Sequence, residues 1–289
     1  MGVFNLFGVE IKHFRSNQTL RLRNKLLSLD GPMIMAVINA TPDSFHPQSR
    51  VKNLDELEKI AQKCMDLGVR IVDLGAHSTR PGYVSINAEE QINRLDPCID
   101  LIKRKFPELY ISIDTSLPEV AQYALSKGAD LINDVEGGRN HPKIYEVCAQ
   151  FNAPYVLVHS RGPSNNLHEP TEYKEITSEV ILELSIQLHR IKAAGVKDII
   201  VDLGFGFSKS IEENFQLVRD ISMFELLGFP LLYGFSRKSM IHKKLNTSVE
   251  KSLNGTTILN TYAILKNATF LRVHDLDAAN EILELLKIE

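Results

Sequence analysis

The chain has 289 residues, 44% of them apolar, and a formal net charge of -3. It is long enough to bury a sizeable core. With no long run of one sign, the composition argues against nucleic acid or an acidic membrane surface as the main partner, because such binders carry a basic face.

The first 30 residues do not fit the pattern that follows. Within them, 19-TLRLRNKLLSL-29 reads as an extra strand or hairpin closing one end of the fold, so residues 1–30 are assigned as an extension and 31–289 as one domain. From residue 33 short β-rich runs recur: 33-MIMAVIN-39, 70-RIVDLG-75, 110-YISID-114, 131-LINDV-135, 154-PYVLVH-159, 198-DIIVDLG-204, 230-PLLYG-234 and 269-TFLRVH-274. Their nearly continuous hydrophobicity suits strands buried on both faces. Segments with helical spacing lie between them, among them 53-NLDELEKIAQKCMDLG-68, 117-LPEVAQYALSKGA-129 and 173-YKEITSEVILELSIQLHRIKAAG-195. Gly68, Gly128 and Gly195 fall where a helix C-cap is expected. Eight strands alternating with helices, without a linker, predict an α/β fold: a parallel sheet closed into a (β/α)8 TIM barrel, an architecture that uses about 250 residues. The last segment, 279-ANEILELLKIE-289, is amphipathic, which suits packing on the barrel or pairing with a second copy.

No apolar run approaches the ~20 residues of a membrane span, and the N-terminus has no secretory pattern. Cys64, Cys98 and Cys148 form no CxxC pair and read as buried thiols. The expectation is a soluble, cytoplasmic protein.

In such a barrel the active site lies at the C-terminal ends of the strands. The residues at those ends are Asn39, Asp73, Asp114, Asn133 with Asp134, His159, Asp202, the Ser236–Ser239 group, and Arg272 with His274. Any one Asp or Asn could be only the N-cap of the next helix; a whole polar rim is harder to explain that way. Asp114 and Asp202 each end an apolar run, where an unpaired charge costs several kcal/mol. A cation such as Lys238, or a ligand rich in N–H donors such as an amino-pyrimidinone ring, would offset it. Arg272 and His274 are two apart, so an extended strand end would put both toward one anion. By the same alternation, Ser236 and Lys238 share a face and Arg237 points to a neighbouring loop.

The stretches 36-AVINATPDSF-45, 73-DLGAHSTRPG-82, 111-ISIDTSLPEVAQYALSKGADLINDVEGG-138, 202-DLGFGFSKSIEENF-215, 234-GFSRKS-239 and 271-LRVHD-275 resemble dihydropteroate synthase, in order and spacing, from about residue 19 onward. The resemblance implies a transferase of folate biosynthesis that joins (7,8-dihydropterin-6-yl)methyl diphosphate to p-aminobenzoate. It also implies a homodimer, Mg²⁺ as cofactor, and small molecules as partners. Asn39 would meet Mg²⁺ and the diphosphate, and Arg272 and His274 would hold the diphosphate. Asp114, Asn133, Asp202 and Lys238 would surround the pterin, and Thr79, Arg80, Phe207 and Ser236 would border the p-aminobenzoate. Asp114, Lys238, Arg272 and His274 would carry the catalysis.

The sequence departs from the family pattern at 44-SFHPQSR-50, Ala76, His77, Leu203, Ser208 and Phe235. These departures bear on rate and on sulfonamides, which compete for the p-aminobenzoate site in this family. Three rival readings differ in sequence signature. A corrinoid-dependent methyltransferase barrel would need no diphosphate clamp, a Schiff-base aldolase would use Lys238 as its nucleophile, and a non-catalytic paralogue would show losses among Asn39, Lys238, Arg272 and His274.

Overall fold

The computed structural model describes residues 4–6, 9–11, 19–22, 25–40, 50–76, 86–162 and 166–287. Two antiparallel hairpins come first, β1 (Phe4–Leu6) with β2 (Val9–Ile11), and β3 (Thr19–Leu22) with β4 (Lys25–Ser28). Eight parallel strands then close a barrel in chain order: β5 (Met33–Asn39), β6 (Ile71–Gly75), β7 (Tyr110–Asp114), β8 (Leu131–Asp134), β9 (Tyr155–Val158), β10 (Ile199–Asp202), β11 (Leu231–Tyr233) and β12 (Phe270–Val273), which returns to pair with β5. Each matches its predicted run to within a residue or two at the ends, where strands fray.

The helices between and after them are α1 (Arg50–Asp66), α2 (Ala88–Lys105), α3 (Pro118–Ser126), α4 (Lys143–Phe151), α5 (Ile176–Ala193), α6 (Ile211–Arg219), α7 (Ser239–Lys244), α8 (Leu253–Leu265) and α9 (Leu276–Leu286). Local chemistry sets their ends. The Asn87 side chain caps α2 by accepting from the Glu90 N–H at 2.9 Å, and three basic residues close its last turn. Ser210 and Glu213 form a reciprocal capping box at α6. Helix α5 begins three residues later than its periodicity suggests, because Glu179 turns back to accept from the Lys174 and Glu175 N–H groups and fixes the first turn there.

Alternation along the strands sorts their side chains into two sets. One set, including Ile34, Val72, Ile111, Ile132, Leu157, Val201 and Leu271, packs against the helices. The other contributes one residue from the start of each barrel strand, Met35, Ile71, Tyr110, Leu131, Val156, Ile200, Leu232 and Phe270, to a single inner cluster. Leu20 and Leu22 of β3, with Leu29, join that cluster at 0–1% exposure. The expected N-terminal hairpin is therefore a plug for the barrel bottom. Truncating Leu22 to Ala is expected to cost about 2–5 kcal/mol of stability, as for other core leucines. Leu26, on the same hairpin but 66% exposed, should lose no more than about 0.5 kcal/mol. Urea denaturation of the two variants checks this, and equally small losses would contradict the plug.

Candidate active site

Two residues further along the inner face, the apolar bottom layer gives way to charge. The positions are Asp73 on β6, Asn133 on β8, Asp202 on β10 and Arg272 on β12, with Asp114 at the end of β7. Asp73 is 0% exposed, and Asp114, Asn133 and Asp202 are no more than 5% exposed. Arg272 ties three strands together: its Nε donates to Asp73 Oδ2 at 2.7 Å and its Nη2 to Asp114 Oδ2 at 2.7 Å. The Asn133 Nδ2 donates to the same Asp73 oxygen at 3.0 Å. A carboxylate only accepts, so this bond fixes the amide with its carbonyl oxygen turned away from Asp73. Asn133 Oδ1 and Asp73 Oδ1 are both buried and have no partner among the described residues.

The electrostatics follow from burial. Desolvation pushes the Asp114 carboxyl up to about 7; Arg272 opposes the rise, and Asp73 and Asp134 add to it. Asp202 is raised by the same cause, against the pull of Lys238, and its Oδ1 accepts from the Gly204 N–H at 2.8 Å. Lys238 is drawn down to about 8 by burial, with Asp202 opposing. Its ammonium lies 4.7 Å from the centre of the Phe207 ring and donates to the Phe205 carbonyl. Gly206 makes room for this: at φ +79°, a Cβ there would stand 3.1 Å from the Lys238 Cδ. Asp114, then, finds its cation in Arg272, while Lys238, the cation expected for either acid, serves Asp202.

The remaining rim residues divide. Asp134 and His159 point into the helix layer. Asp134 accepts from Ser116, Tyr155 and the Glu136 and Gly138 N–H groups, and so holds the turn after β8. His159 Nε2 meets Glu183 at 3.0 Å, and burial draws the imidazole down to about 4. Asn39 ends β5 exposed. Arg272 turns inward while His274 lies exposed just beyond β12, and its N–H donates to Ser236 Oγ at 3.2 Å. Thr79 and Arg80 lie outside the described residues, as does the loop at 44–49.

After β11 the chain turns instead of staying extended: Arg237 has φ +52° and Lys238 N–H bonds back to the Phe235 carbonyl at 3.1 Å. That turn, and not strand alternation, separates the two cations. Arg237 braces the neighbouring loops through a bidentate pair with Asp275 at 2.8–2.9 Å and bonds to the Val249 and Glu250 carbonyls.

Sequence reading does not mark the buried cation of the loop after β10. Lys209 is 4% exposed and donates to the carbonyls of His159, Gly204 and Phe207 at 3.0–3.3 Å, pinning the loop that carries Phe207. Burial brings it down to about 7, with Asp202 opposing. A lysine just before a helix-capping serine ordinarily reads as solvated, so no local signal marks it.

Residues 35–274 match the family described as pterin binding enzyme. The dihydropteroate synthase of Clostridium beijerinckii is 39% identical over 245 residues, covering 84% of this chain and 88% of that protein. The chain belongs to the dihydropteroate synthase family. Among solved structures, the Xanthomonas albilineans dihydropteroate synthase with 4-aminobenzoic acid matches with a TM-score of 0.84 at 30% identity, over 93% of this chain and 97% of that one. The Clostridium difficile dihydropteroate synthase in the presence of pteroic acid matches with a TM-score of 0.82 at 32% identity, over 89% and 96%.

The buried charge of the barrel mouth has a stability consequence. The Asp114 carboxyl is raised above its unfolded value, so the folded state holds the extra proton between about pH 4 and 7. Its contribution to stability therefore declines as pH rises through that window. Relative to the parent, Asp114→Asn should be more stable at pH 8 and nearly equal at pH 4. Thermal melts at both values check it; a variant that is relatively weaker at pH 8 would contradict the buried-charge account.

Proposed function

We propose that the chain condenses (7,8-dihydropterin-6-yl)methyl diphosphate with p-aminobenzoate in the barrel mouth, releasing diphosphate, with the network around Asp114 as the pterin site. The observation that carries this assignment is the set of buried acceptors, Asp114, Asp202 and the unpartnered Asn133 Oδ1, gathered in one inward layer. Such a set is satisfied by a flat ring presenting several N–H donors, which a reduced pterin does. Lys238 supplies the complementary donor beside Asp202.

In this reading the pterin takes the Asp114 carboxylate, and Nη2 of Arg272 is released to hold the diphosphate together with His274 and Asn39. An exposed Asn39 beside β12 fits a divalent cation held mainly by the diphosphate, because Mg²⁺ accepts one neutral oxygen ligand plus phosphates and water. Among the described residues no group of three His, Cys, Asp or Glu is placed to hold a metal ion. When bound, the ion would neutralise charge on the leaving diphosphate.

The C–O bond to diphosphate breaks as the aryl amine nitrogen bonds to the pterin methylene, and the amine proton passes to solvent. Asp114 and Asp202 place negative charge where the methylene becomes cationic, so the amine needs no strong base; positioning and electrostatics supply the rate. Phe207 and Ser236 border the p-aminobenzoate, with Thr79 and Arg80 completing that subsite, where sulfonamides would compete.

Cys64, Cys98 and Cys148 are buried free thiols, which supports a reducing, cytoplasmic setting. Among the described residues no helix is long and apolar enough to cross a membrane. Exposed Leu245, Ile258 and Leu285 at the last helices support self-association as a homodimer.

With both substrates and Mg²⁺, the purified protein is expected to release dihydropteroate and diphosphate in equal amounts; no product, alongside binding of methyltetrahydrofolate, would favour a methyltransferase. Lys238→Ala should lower turnover by at least about 100-fold with its melting transition retained. Turnover close to that of the parent would remove Lys238 from the mechanism.

A further inference from the structure

Asp73 has no role in the reading above, yet it is the most deeply buried acid of the mouth and touches two of its members. A single oxygen, Oδ2, accepts from Arg272 Nε at 2.7 Å and from Asn133 Nδ2 at 3.0 Å. We propose that Asp73 is the positioning residue of this site: it fixes which end of the Asn133 amide faces the pterin, and it anchors Arg272 by Nε while Nη2 passes from Asp114 to the diphosphate. The inference rests on the reading of the mouth as the pterin diphosphate site.

Without Asp73 an amide can rotate and present N–H where O is needed, and nothing in the side chain itself prevents it. A guanidinium carries its donors in a rigid plane. Holding Nε on β6 leaves one motion, a turn about that bond, and the two Nη groups then sweep between the end of β7 and the open mouth. Asp114 cannot serve as this anchor, because the pterin needs its carboxylate. Ser112, the inward neighbour on β7, is buried with its hydroxyl unpartnered among the described residues and carries no charge for the guanidinium.

The test is Asp73→Asn, which keeps shape and removes the obligate acceptor. Calorimetry should show the affinity for 6-hydroxymethylpterin falling about tenfold or more, as for loss of a charged hydrogen bond, with pyrophosphate in Mg²⁺ weakened as well. Turnover should fall while the KM for p-aminobenzoate changes less than about twofold. In a cycle with Arg272→Lys, the two losses in pyrophosphate affinity should be less than additive, because lysine has no second nitrogen to anchor. Parent-like pterin affinity and turnover would overturn the proposal, and so would equal losses for all three ligands, which mark a merely structural acid.

Should the variant fail to fold, NMR of the parent decides. The Arg272 Nε–H signal, assigned by its loss in Arg272→Lys, is expected to stay hydrogen-bonded and protected from exchange in the free protein and with pterin and pyrophosphate bound. Its release to solvent on binding would overturn the pivot. Parent protein that makes no dihydropteroate would instead refute the functional reading itself.

Discussion

Everything at the mouth of this barrel depends on one constraint, that the inward face of a closed parallel sheet has no access to water except at its open end. The lower inward layer meets it with apolar side chains and a hairpin plug. The upper layer holds Asp73, Asp114 and Asp202 nearly free of solvent, and such charges persist only if cations face them. Arg272 answers the first two and Lys238 the third. The pairing is strained thermodynamically, as the raised Asp114 and lowered Lys238 show. Stability given up at a site in this way is the ordinary cost of keeping reactive groups ready for a ligand.

Much of this was legible in the sequence because both periods are strong. Strands buried on two faces leave continuous apolar runs, and a polar residue ending each run marks the rim. What the runs do not reveal is which of two adjacent polar residues turns inward. Asn133 and Asp134 are neighbours with similar chemistry, yet alternation sends one inward to the charged layer and the other outward to four donors. His159 goes outward for the same reason, to Glu183. Partner choice is equally hidden: nothing local says that Asp114 pairs with Arg272, 158 positions away, and not with Lys238. The turn at Arg237 is a backbone event, with φ +52° at a non-glycine residue, that side-chain alternation does not anticipate.

Three departures from the family pattern now have physical content. Ser208 stands where glycine is common and keeps a glycine-like φ of +55°. Its hydroxyl accepts from the Arg161 N–H and donates to the carbonyls of Arg161 and Leu167, so local bonds offset the backbone strain. Phe235 is wholly buried and lies 4.5 Å from Phe205, centre to centre, in an aromatic cluster with Tyr233. It supports from behind the loop whose Phe205 carbonyl receives Lys238. Leu203 is also buried there, in the outer core. None of the three enters the charged layer, so the polar constellation is kept while its scaffold is repacked.

The central claim is an exchange of partners, in which a pterin takes Asp114 and Arg272 moves to the diphosphate. A crystal structure of the chain with a pterin and pyrophosphate bound tests it most directly. The account predicts the pterin N–H groups on Asp114, Asp202 and the Asn133 carbonyl oxygen, with Arg272 Nη on pyrophosphate. Ligand bound elsewhere, with the Arg272 to Asp114 pair intact, would contradict it.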